Sequence, residues 1–145
     1  MKFLLVAVSL IGSALAQNIH IGAPANGSSI QVGKQFTVEV DRPNSLTGTQ
    51  EVAIVIGLNA CYSSTDCVPA SEAIGSVLYS GPYDPQYTSD AGTTTKPPHQ
   101  NFTVTVPDYI QTGRAILSVS HLSLVGAGPW PMFEVVNSSV VITSS

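Results

Sequence analysis

Apolar and polar residues alternate along much of this chain, in short runs separated by turn-forming residues. Gln35-Phe36-Thr37-Val38-Glu39-Val40 places Phe36, Val38 and Val40 on one face of an extended segment, with Thr37 and Glu39 on the other. Gln100 to Val106 repeats the arrangement, with Phe102, Val104 and Val106 directed inward. Ala115 to Leu124 sets Ala115, Leu117 and Val119 against Ser118 and Ser120. Val52 to Leu58 is apolar on both faces, as a central strand covered on both sides would be. Further strands are predicted at Ile19 to Ile21, Ser29 to Val32, Ile74 to Tyr79 and Phe133 to Ile142.

Turn chemistry falls between these runs: Pro24-Ala25-Asn26-Gly27, Val32-Gly33-Lys34, Arg42-Pro43-Asn44-Ser45, Gly81-Pro82 and Gly126-Ala127-Gly128-Pro129. The ten prolines are expected to avoid strand interiors, because a sheet ladder needs the N–H that proline lacks. No stretch has helical periodicity. Seven or eight short strands predict an all-β domain, an immunoglobulin-like or fibronectin-like β-sandwich, with a closed barrel as the alternative. Gly81 to His99 is the longest irregular stretch and a candidate contact surface.

The first residues follow another pattern. Lys2, the apolar run Phe3 to Ile11 and Ala14-Leu15-Ala16 have the order of a signal peptide: a positive start, a short apolar stretch and an A-x-A cleavage site. Residues 1–16 are therefore expected to be removed before Gln17, leaving 17–145 as a single domain. No later segment reaches the roughly 18 unbroken apolar residues of a membrane span, and no apolar C-terminal tail precedes a lipid anchor. The expected product is secreted and extracellular, without membrane insertion.

Charge changes the picture of partners. Lys34, Arg42, Lys96 and Arg114 stand against nine acids after residue 16, a net charge of −5. With no basic patch to neutralise phosphates, nucleic acid is not an expected partner. Cys61 and Cys67 are the two cysteines, and an oxidising export route is expected to pair them. Two cysteines without nearby histidines cannot complete a zinc shell, and the Cys-x-x-Cys spacing of a redox motif is absent.

Candidate chemistry is thin. Asn26, Asn101 and Asn137 each begin an Asn-x-Ser/Thr sequon and are candidate glycosylation sites; Asn26 sits in a turn, Asn101 points outward if Phe102 points in, and Asn137 falls within or beside a strand. The histidines are His20, His99 and His121. Secreted β-sandwich oxidases of polysaccharides bind copper through a mature N-terminal histidine and a second one, whereas cleavage here exposes Gln17 and leaves His20 three residues inside. His121 reads as a surface or boundary residue. Ser118, Ser120 and Ser123 lie near it on one strand, where alternating faces cannot build a triad, and no G-x-S-x-G elbow occurs. Asp84 and Asp90 read as loop polarity before a calcium contact, and Gly27 to Lys34 lacks the spacing of a phosphate loop. Neither a cofactor nor a catalytic activity is expected. Tyr79, Tyr83, Tyr87 and Trp130 fall in or near loops; Tyr83, Tyr87 and Trp130 are the candidate interface residues, with Trp130 stiffened between Pro129 and Pro131.

These segments also carry a resemblance. Asp41 to Gly48 running into Glu51 to Gly57, then Gly81 to Tyr87, Gln100 to Val104 and Gly126 to Pro129, resemble in order the fungal necrosis-inducing secreted protein family. The resemblance implies an effector of a plant-associated fungus that suppresses pattern-triggered immunity. Its implied partners are host receptor-like kinases and receptor-like cytoplasmic kinases, the latter met in the host cytoplasm after uptake. Some members also induce host cell death, and no residue-level site is carried over. The residues themselves leave a second reading open, an extracellular module that binds wall polysaccharide through Tyr83, Tyr87 or Trp130.

Overall fold

A computed structural model describes residues 18–45, 47–88 and 96–145. The expected leader, Gln17, Leu46 and Asp90 lie outside these residues. Within them the chain forms eight strands in two sheets, an all-β sandwich. The strands are β1 (His20–Ala23), β2 (Ser29–Gln31), β3 (Gln35–Asp41), β4 (Thr49–Ala60), β5 (Ser76–Gly81), β6 (His99–Thr105), β7 (Gly113–Val125) and β8 (Trp130–Thr143). One sheet has the order β1-β3-β6 and the other β2-β8-β7-β4-β5. All pairings are antiparallel except that of β2 with β8. The β1–β2 link thus crosses from one sheet to the other, and no strand pair closes the two sheets into a barrel.

The core follows from the alternation. Val38, Val40, Phe102, Val104 and Val106 from the small sheet face Ile54, Ile56, Leu58, Leu117, Val119, Val140 and Ile142 from the large one. Each such apolar side chain removed from water contributes about 1.5–3 kcal/mol. The outer face of β4 is covered at Gly57 by the β4–β5 connection. An added Cβ on Gly57 would lie 2.3 Å from both the Cγ1 and the carbonyl oxygen of Ile74, so the connection rests directly on bare backbone. Beneath that cover Ser118 points away from the core yet is buried. The Cys61–Cys67 disulfide closes the start of the connection.

The start of β8 departs from expectation. Trp130 and Pro131 belong to β8, paired with Val125 and Leu124, and are not part of the turn before it. Proline is tolerated there because one edge of β8 is paired over only part of its length. β2 pairs only with Val141 to Thr143, so the first half of that edge has no strand beside it. The N–H lost at Pro131 would have pointed to the open side.

Candidate functional site

Two strands that alternate apolar and polar residues bring a charged network into the interior. His121 shares the inward face of β7 with Leu117 and Val119, and it pairs across the ladder with Glu134 of β8. Its relative exposure is 0%, so it is a core residue and not the surface or boundary residue that strand position alone suggested. The ring Nδ1 lies 2.9 Å from Glu134 Oε1, and Nε2 bonds Glu51 Oε2 from β4. Arg42, just beyond β3, donates from Nε to Glu51 Oε1 at 2.9 Å and from Nη2 to Thr49 Oγ1 at 3.2 Å. The backbone N–H of Ile19 donates to both Glu134 oxygens, at 3.1 and 3.2 Å.

Protonation follows from the partners. Carboxylate oxygens only accept, so both ring nitrogens of His121 carry hydrogen and the ring is an imidazolium. Burial pushes the ring toward its neutral form, but the hydrogen bonds to Glu134 and Glu51 outweigh it and hold the pKa above its ordinary value. For Glu51, burial favours the neutral acid, yet the bonds from His121 and Arg42 hold its carboxyl below the usual range. Two cations and two carboxylates balance, which is how the network can lie in a low-dielectric interior. The ring has no lone pair left for a proton or a substrate. This arrangement does structural work.

Tyr83 seals the network. Its ring meets His121 edge-on at 5.4 Å, and its hydroxyl donates to the Val40 carbonyl at 3.0 Å. At 4% exposure it is part of the core, which corrects its place among the candidate interface residues. The apolar body found its partner in the core because its hydroxyl could reach a buried carbonyl. Burial pushes the phenol well above its usual range. Tyr79 is half-buried against Phe102, 4.6 Å between ring centres. Tyr87 and Trp130 remain exposed, at 63% and 53%.

Above the network, the β3–β4 loop and the segment after β5 enclose a cleft of about 480 Å³ whose lining includes Arg42, Asn44, Thr49, Glu51, Tyr83 and Asp84. Asn44 Nδ2 bonds the Tyr87 hydroxyl, and Gly126 N–H donates to Gly48 O at 3.0 Å. Gln86 bridges His99 through paired backbone bonds of 3.0 Å. The connections after β3, β5 and β7 therefore gather at one end of the sandwich. Asp41 to Ser45, Thr47 and Gly48, Gly81 to Tyr87 and Gly126 to Pro129 all lie at this end.

A second polar cluster decorates the outside of the small sheet. His20 Nε2 lies 3.0 Å from Asp41 Oδ2, and Lys96 Nζ lies 2.7 Å from Glu39 Oε2. Burial, and then the Glu39 charge, push the Asp41 carboxyl upward. His99 is buried and bonds the Pro97 carbonyl at 2.9 Å. No group of three or more histidine, cysteine or acidic side chains among the described residues is arranged to hold a metal ion. The sequon residues Asn26, Asn101 and Asn137 are all exposed, and Asn26 Oδ1 also accepts the Ser139 N–H at 2.9 Å.

Fold and site together define a two-sheet all-β domain with a loop-built end above a buried ion network. The chain belongs to the Nis1 family, whose sequence profile matches residues 14–141. No curated protein matches it. Among solved structures it is similar to a cellulose-active polysaccharide monooxygenase from M. thermophila (MtPMO3*), at 15% identity and a TM-score of 0.46. That similarity covers 83% of this chain and 55% of the other. No helix among the described residues is long and apolar enough to cross a membrane.

Proposed function

We propose that this protein is a secreted fungal effector that suppresses plant pattern-triggered immunity by binding receptor-like kinases and their cytoplasmic partner kinases. The observation that carries the reading is the Nis1 family match across residues 14–141, read as the necrosis-inducing secreted proteins that the loop segments resemble. The leader at 1–16 and the Cys61–Cys67 bond support export. The histidine with the most charged neighbours has both nitrogens committed, which favours action by contact over action by turnover. The contact surface we assign is the end bearing Tyr87, Trp130 and the cleft.

Co-precipitation of the secreted protein from plant tissue, followed by identification of what it retains, tests the proposal. Receptor-like or receptor-like cytoplasmic kinases are expected in the bound fraction, and Tyr87→Ala with Trp130→Ala is expected to deplete them. Retention by insoluble glucan or chitin with no kinase bound would replace this reading with a polysaccharide-binding module.

A further inference from the structure

We infer that the open edge of β8, from Phe133 to Asn137, accepts an extended segment of a partner protein as an added strand. The inference rests on the reading of the chain as an interaction protein and assigns it a second, main-chain mode of contact.

The hydrogen-bond parity of β8 carries the argument. Ser139 N–H and O, and Val141 N–H, bond Asn26, Gly27 and Ser28 on the β2 side. The register between β7 and β8 is unbroken from Gly113 to Val125, so every odd position of β8 turns its backbone to that same side. Phe133, Val135 and Asn137 thus present N–H and C=O groups outward from the sheet, and none of them has a strand partner among the described residues. An edge of this kind is a template for another strand unless something blunts it. Between Phe133 and Asn137 no proline, bulge or outward-facing charge interrupts the edge, and Pro131 marks its start. Phe133 is 67% exposed, Val135 is half-buried, and Glu134, the one charge in the stretch, points inward to His121.

What fits is an extended peptide, for three reasons. The edge already takes an added strand in its second half, where β2 pairs with Val141 to Thr143, and the open half continues the same line. Three residues with both groups free match the alternating main-chain bonds of a strand of about five residues. A second copy of β8 does not fit. A two-fold pair centred on Val135 would set the copy's Pro131 against Ser139, whose N–H and O are taken by Asn26 and Gly27. On the outer face, Phe133 and Val135 line a groove with Ala73 and Ile74 of the β4–β5 connection. Alternate side chains of the incoming strand fall there, so the partner segment carries apolar residues at every second position.

Residue-level amide exchange tests this with the secreted protein alone, with the cytoplasmic domain of a plant receptor-like kinase, and with a synthetic Thr-Val alternating heptapeptide. In the free protein the amides of Phe133, Val135 and Asn137 should exchange as unprotected amides; protection there overturns the inference, since the edge would already be filled. Added kinase domain or heptapeptide should slow these three amides. Val135→Pro, which removes an outward N–H and no β7 bond, and Phe133→Lys, which blunts the edge from the side chain, should each weaken binding about tenfold or more while leaving the far-ultraviolet spectrum unchanged. The lysine variant keeps the test open if the proline variant does not fold. Kinase binding with protection confined elsewhere overturns the inference and leaves the proposed function intact. Peptide protection without kinase binding supports the edge and removes the kinase reading. If neither probe slows the three amides, the inference is wrong.

Discussion

At His121 two carboxylates meet one ring, and the effect of removing that ring can be worked out from charge alone. Without the imidazolium, Glu134 keeps only the Ile19 N–H, and Glu51 keeps Arg42 and Thr49. A buried charge stripped of its partner costs about 3–5 kcal/mol, so His121→Leu should lower the unfolding free energy by that amount in urea titrations. The pH dependence has a definite sign. His121 is held above its ordinary 6.5, so its contribution is complete below about pH 6.5 and is lost as pH rises through the folded value. Glu51 is held below 4.5, so its contribution is complete above about pH 4.5 and is lost as pH falls through the folded value. Asp41, held above 3.8, adds a loss of the same sign as His121 that begins at lower pH. Melting temperatures of the wild type should fall on the alkaline side, and the His121→Leu variant should lack the part that starts above pH 6.5. Parallel alkaline slopes in the two proteins would show that the ring is not the group responsible. Strand parity sets His121 on the face of Leu117 and Val119, a signal that its reading as a surface or boundary residue left unused. What parity could not supply was its partners, because Glu51 lies 70 residues away in the chain.

Elements show why alternation assigns a face but not its cover. Ser118 points outward as the pattern of β7 requires, yet it is buried, beside Gly57 on which Ile74 of the β4–β5 connection rests. That connection reads as a loop in sequence, and nothing in a loop's composition says which sheet it will lie on. Gly57 is the contact that permits the close approach, so Gly57→Ala forces the Ile74 backbone away or strains β4. Overpacking of this kind costs typically about 1–3 kcal/mol. Thermal unfolding should register it as a lowered midpoint, with near-ultraviolet dichroism changed while strand content is kept. An unchanged midpoint would mean that the connection is not seated on β4. The strands themselves were placed to within a few residues at both ends. At the start of β8, Pro129 and Pro131 flank Trp130 and suggest a break, although an open edge tolerates Pro131.

For the molecule as a whole, the disulfide and the core make separable contributions. Cys61 and Cys67 are six residues apart, and closing so short a loop contributes about 2 kcal/mol by chain entropy. Domains of this size have roughly 5–15 kcal/mol of stability, and the two facing apolar layers do not include the loop that the bond closes. The Cys61→Ser/Cys67→Ser protein is expected to remain folded at 25 °C and to unfold cooperatively, about 2 kcal/mol less stable than the wild type. Loss of a cooperative transition at that temperature would show that the bond, and not the core, holds the sandwich. A protein that survives reduction in this way can act on both sides of a host membrane, as the proposed kinase partners require.

Local chemistry decided the eight strands, the inward residues of the core, the pairing of the two cysteines and the turns between runs. Each of these depends on neighbours within a few positions, through side-chain alternation, proline and glycine geometry, or a loop too short to pair otherwise. Long-range contact decided the rest. It buried Tyr83, which sequence placed at an interface, and it joined Arg42, Glu51, His121 and Glu134 into one neutral network. It also left one half of the β8 edge without a strand. Charges enter a core only when opposite charges from distant strands arrive with them, and that arrival is a property of the assembled sheets.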